Sequence, residues 1–197
     1  MTPEEAVADY ILRFRVLARA EMRAFEKEPT LHDAIRRAAL CVWPNGKRHE
    51  HQYLIAKPLL EQAEGRLQAM ARKLAHAADF AALHDLVEDE IGRLHGIGPL
   101  TIYDIAHRVG AYLKKAPKLV YLHSGTKIGA AVFGLRGRTI DPANLPSAFS
   151  RLTPAEIEDC LCIYRHELRK GHNTILSRAS PRPRPSSCRP RIRGCNR

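Results

Sequence analysis

Apolar residues recur at three- and four-residue steps over most of this chain, the period of amphipathic helices rather than strands. The opening "TPEE" is a capping box, with Thr2 at the cap, Glu5 three later and Pro3 at the first helical position. Tyr10, Ile11, Phe14, Leu17 and Phe25 then form one face of a long helix ending near Glu28. Thr30 caps a shorter helix through Cys41, and "WPNGK" (43–47) is a turn by composition. A third helical region runs from about His51, interrupted or restarted at Pro58, with Leu60, Ala63, Leu67, Met70 and Leu74 inward. Asp79 caps a helix that buries Phe80, Leu83, Val87, Ile91 and Leu94. Ile102, Ile105, Ala106, Val109 and Leu113 mark the next. The pattern breaks at "KKAPKLVYLH" and resumes over 124–135, with Ile128, Val132 and Leu135 inward. After the loop "RTIDPANLP", Thr153 and Glu156 box a final helix that Gly171 ends. "KLVYL" is too short and isolated to read as a strand, so the expected fold is all-α.

Composition divides the chain in two. At 197 residues and 45% apolar content, it can bury one core without staples. No apolar run is long enough to span a membrane, and acids stand where a signal peptide needs bases, so the expectation is a cytoplasmic protein. The net charge of +11 is concentrated at one end: residues 171–197 hold seven arginines and no acid, leaving 25 basic against 21 acidic residues before them. One helical domain over 1–171 and a disordered Arg/Pro/Ser-rich tail over 172–197 follow from that change. Five cysteines without a C-x-x-C pair point to reduced, packed thiols, and neither a metal centre nor a cofactor is expected.

One stretch carries chemistry. "HGIGPLTIYDI" (95–105) joins two amphipathic helices through Gly96-Ile97-Gly98. A sharp reversal there leaves backbone N–H groups unpaired at the second helix start, beside the positive end of its dipole. A phosphate oxygen can accept from them, and glycine lets it come close. Ile97 would plug the gap between the helices.

With Leu94, Gly96, Ile97, Gly98 and Thr101 at matching offsets, the stretch resembles the helix-hairpin-helix of DNA-binding proteins that ignore sequence, over about 86–113. Residues 80–135 together resemble the base-excision DNA glycosylase superfamily. That family's next helix opens on a valine-aspartate-threonine-histidine segment with a catalytic aspartate. Here Val120 and His123 match, but Tyr121 replaces the aspartate, and Leu100 stands where bifunctional members carry a lysine. A neutral phenol cannot stabilise developing positive charge, and leucine cannot form a Schiff base. The same residues are similar to small bacterial proteins of unassigned function. The resemblance therefore implies a DNA-binding scaffold more than glycosidic cleavage.

The first expectation is a protein that grips duplex DNA by its backbone through Gly96, Ile97, Gly98 and Thr101, with Lys114, Lys115, Lys118 and Lys127 adding charge. Arg93, Arg108, Arg136 and Arg138 lie near in sequence and extend that basic set. The second is a divergent glycosylase or other DNA-repair enzyme using Asp104, His123 or Asp141, and the third a protein-interaction domain whose hairpin only packs helices. Asp104 reads most simply as an exposed acid near a helix start, and Asp141, before Pro142, as a cap. "KRHEHQ" (47–52) brings His49 and His51 together, more simply as surface residues than as metal ligands.

Overall fold

A computed structural model describes residues 1–42, 47 and 52–170. Helices dominate it, and the described strands are two residues each. Both capping boxes form: Thr2 Oγ1 accepts from the Glu5 amide at 3.2 Å, and Thr153 Oγ1 from that of Glu156 at 3.3 Å. The histidines at 49 and 51, Gly171 and the tail lie outside the described residues.

The expected long first helix is two helices, α1 (Pro3–Arg13) and α2 (Arg15–Glu26), meeting at Phe14. Its halves serve different cores. Tyr10 packs with Phe149, Ile157 and Leu161, whereas Phe25 packs with Ile35, Leu67 and Leu83. One straight stripe cannot face both, and Leu17, expected inward, is 68% exposed.

The central core is built from α2, α3 (Leu31–Leu40), α4 (Lys57–Ala69), α5 (Ala71–Ala75), α6 (Phe80–Ile91) and α7 (Pro99–Tyr112). The terminal core joins α1 to α8 (Ser124–Ala131) and α9 (Pro154–Ile163), with two 3-10 turns, Pro142–Asn144 and Ser147–Arg151. Helical structure resumes over 165–170.

Between the cores runs a strand pair that the pattern did not announce. β1 (Val120–Tyr121) lies antiparallel to β2 (Thr139–Ile140), Val120 opposite Ile140 and Tyr121 opposite Thr139. Strand alternation sends Val120 and Leu122 into the terminal core and Tyr121 into the central one. Two residues are too few for such alternation to be read in advance.

The inward face of α8 also differs from expectation. Ile128 is 38% exposed and Val132 and Leu135 are half-buried, while Thr126, Gly129 and Ala130 face in. α8 lies so close to α9 that a Cβ on Gly129 would stand 2.3 Å from the Leu161 carbonyl oxygen. Size, not hydropathy, chooses that face. No helix among the described residues is long and apolar enough to cross a membrane.

Candidate functional site

α6 and α7 pack along each other and are joined by residues 92–98. The turn closes through the Leu94 amide on the Ile91 carbonyl at 3.0 Å and that of Ile97 on the Leu94 carbonyl at 2.9 Å. Gly96 takes φ +100°, a conformation side chains disfavour, while Leu94 and Ile97 are buried in the central core. His95, Gly96 and Pro99 are exposed at the tip. Gly98 caps α7 in extended conformation, with no side chain bonding to the first turn. A Cβ added at Gly98 would meet nothing within 4 Å. The first amides of a helix lack intrahelical acceptors, so those of Gly98, Leu100 and Thr101 are the donors that this start presents. Thr101 itself is buried, and its side chain packs.

A groove of about 250 Å³ lies beside this tip, lined by Glu88, Pro99, Tyr121, His123, Lys127 and Arg138 among others. α8 starts on the same groove at His123, again with no side-chain cap. Lys127 is exposed there, and no acid among the described residues pairs with it. Arg138 is engaged, bonding Asp85 at 3.1 Å and contacting Glu88. His84 is held below its usual pKa by burial and by Arg138, so it is neutral at pH 7. Tyr121 stacks edge-on to Phe80 at 5.3 Å, and burial raises its pKa further. It offers the groove no acid.

The other basic residues are placed differently from expectation. Lys114 and Lys115 follow the far end of α7, roughly 20 Å along its axis from Gly98. Lys114 pairs with Glu26 at 3.1 Å, and Lys115 Nζ donates to the Ala75 carbonyl at 3.4 Å. Lys118 is exposed beyond them. Arg108 is buried, its Nε bonding Glu21 at 3.0 Å, so it does not join a basic face. Arg93 and Arg136 are exposed.

A larger cavity of about 610 Å³ opens between α2, α7 and α9, lined by Glu21, Tyr103, Asp104, Arg108, Glu158 and Asp159 among others. Asp104 is half-buried here rather than exposed. Its Oδ2 accepts from Gln52 Nε2 at 2.6 Å, and Gln52 Oε1 accepts from Arg108 Nη1 at 3.2 Å. Burial pushes the Asp104 carboxyl up to about 6, against the pull of Arg108. Burial and then Glu158 hold the Asp159 carboxyl well above the usual range, and it accepts from the Tyr10 hydroxyl at 3.0 Å. For Arg108, burial opposes the charge, but Asp104 and Glu21 outweigh it and raise the pKa. Burial and Arg108 push His107 down to about 4.

Of the three residues considered for catalysis, Asp104 lines the cavity and His123 the groove. The buried His123 contacts Glu158, a cavity residue, so this pair forms part of the wall between the two spaces. Asp141 lines neither. It is exposed and accepts from the Ala143 amide at 2.8 Å, the cap that its place before proline implied. Gln52, Glu21, Glu158 and Asp159 were missed from sequence. The one local signal was that Glu158 and Cys162 are four apart on a helix.

The described residues are thus mostly helical, with an open turn between α6 and α7 and a cavity that Asp104, Glu158 and Asp159 help to line. No family model, no curated protein and no solved structure matches this chain.

Proposed function

We propose that this protein binds duplex DNA through its backbone, irrespective of sequence, with the α6–α7 turn acting as a helix-hairpin-helix. One observation carries the reading: α7 begins at a glycine with no capping side chain, open space where a Cβ would be, and a solvent-exposed tip. Amides in that position are suited to phosphate oxygens. Lys127, at the neighbouring start of α8, adds a cation on the same groove. Lys114, Lys115 and Lys118 are too far along α7 to serve the same phosphate and would contribute only long-range attraction. Tyr121 and Leu100, in place of the glycosylase aspartate and lysine, favour binding without glycosidic cleavage.

Fluorescence anisotropy on a short duplex tests the proposal. Affinity should fall as salt rises, with the log–log slope that counterion release requires. A 1–171 chain should keep binding, which separates the folded body from the arginine-rich tail. Binding that vanishes with the tail would refute the reading and favour a protein-interaction domain.

A second reading, a divergent DNA-repair enzyme, draws on Asp104, whose carboxyl burial pushes up to about 6 at the edge of a cavity. Duplexes carrying uracil, alkylated or oxidised bases test it, since only this reading expects a released base or a cleaved strand.

A further inference from the structure

α8 and α9 bring together three side chains that no spacing motif announced. Glu158 and Cys162 stand four apart on α9, hence on one face. His123 caps the start of α8, which lies against that face because Gly125 and Gly129 carry no side chain. A Cβ on Gly125 would stand 2.4 Å from Cys162 Sγ. One ligand-type atom from each of His123, Glu158 and Cys162 lies within 4.8 Å of the others. His123 and Glu158 are buried and Cys162 is half-buried.

We infer that His123, Glu158 and Cys162 form a site for a divalent transition metal, of which zinc is the best fit. Nitrogen, oxygen and sulfur donors are those zinc accepts, and three protein ligands leave a fourth position for water or another ligand. A tetrahedral centre with bonds of about 2.0–2.3 Å sets its ligands roughly 3.5 Å apart, so small side-chain shifts complete the site. Charge also balances. The Cys162 thiol gives its proton to solvent, and thiolate and carboxylate together neutralise a doubly charged ion, which lowers the cost of burying it.

One further observation supports this assignment. Thr126 Oγ1 donates to Glu158 Oε1 at 2.8 Å, orienting the carboxylate as outer partners of metal ligands do. His123 meets Glu158 through its Nε2, while its buried Nδ1 makes no hydrogen bond within the protein. The other candidate cluster, His84, Asp85 and Glu88, is already served by a cation, because the Arg138 guanidinium engages both carboxylates. Among the described residues no lysine or arginine forms an ion pair with Glu158.

Cobalt titration of the full-length, metal-stripped chain tests the site. One Co²⁺ per chain should give a thiolate-to-cobalt charge-transfer band together with the strong visible bands of tetrahedral geometry, and zinc should bleach both. Cys162→Ser should abolish the charge-transfer band, and Glu158→Gln should weaken binding at least tenfold. A Cys188→Ser, Cys195→Ser double variant should leave the spectrum unchanged. No band in the folded chain, or a band that survives Cys162→Ser, overturns the assignment. If the α9 substitutions unfold the chain, the unsubstituted protein decides. Zinc must then slow alkylation of Cys162, followed by peptide mass mapping, and equal rates with and without zinc overturn it as well.

Discussion

α7 and α8 both start on one groove, and neither has a side chain capping its first turn. Yet the glycines of the two helices answer to different neighbours. At Gly98 an added Cβ would meet nothing within 4 Å, whereas at Gly125 and Gly129 it would stand 2.4 Å from Cys162 Sγ and 2.3 Å from the Leu161 carbonyl oxygen. The α7 glycine leaves room for something outside the chain, and the α8 glycines leave room for α9. A glycine-rich helix start therefore signals close approach without saying what approaches.

Substitution at Gly129 should give the largest effect. Gly129→Val places its Cβ against backbone that cannot turn aside, so α8 must lift from α9 and open the terminal core. The expected loss is about 3 kcal/mol or more, read from the denaturant midpoint. A loss below about 1 kcal/mol would mean that α8 and α9 are not in such contact, and the contrast between the glycines of α7 and α8 would fail.

Next comes Asp104, one turn past the open start of α7, where the helix closes over the cavity. Its carboxyl is raised by burial from 3.8 to about 6, so the folded chain holds this proton more tightly than the unfolded chain. The cost of charging it is absent below pH 4, grows as pH rises, and is complete above pH 6. Asp104→Asn removes that cost while Arg108 keeps Glu21 at 3.0 Å. The variant should therefore gain on the parent chain between pH 4 and 7, by on the order of 2–3 kcal/mol. Stability curves that stay parallel over that range would show that the carboxyl is not held in this environment.

Gly96→Ala should fall lower on the scale. The position has φ +100°, and the new Cβ would meet Leu59 Cδ2 at 2.9 Å, the end of a flexible side chain that can move. Backbone strain then dominates, at about 1–2 kcal/mol, with the midpoint again as the measure. No change would mean that the turn relaxes freely and that Gly96 does not define it.

The two starts also differ in how far they could be read from sequence. Gly96, Gly98 and the flanking apolar residues are neighbours in the chain, and a turn's demands are local, so the α6–α7 hairpin was legible. Both capping boxes were legible for the same reason. The inward face of α8 was not: hydropathy selects Ile128, whereas packing against α9 selects Gly125 and Gly129 by size. The cavity was still harder to foresee. Glu21, Asp104, Glu158 and Asp159 come from three helices distant in the chain, and each looks like an ordinary polar residue on a helix. The long-range pairing of α2 with α7, and of α1 with α9 across the break at Phe14, brings them together.

The smallest stability change should accompany the most informative binding change. Gly98 has φ −100° and ψ 170°, a conformation open to any residue, and open space beyond its Cα. Gly98→Leu should leave stability within about 0.5 kcal/mol, since reduced unfolded-state freedom offsets a poorer helix cap. The side chain would nevertheless occupy the approach to the α7 amides. If those amides hold a phosphate, DNA affinity should drop about tenfold, the worth of one charge-assisted hydrogen bond. Anisotropy at fixed salt measures this, with Lys127→Gln expected to lower affinity less and to flatten the salt slope by about one unit. A Gly98→Leu chain that is equally stable and binds DNA as before would mean that the open space beside α7 serves no phosphate.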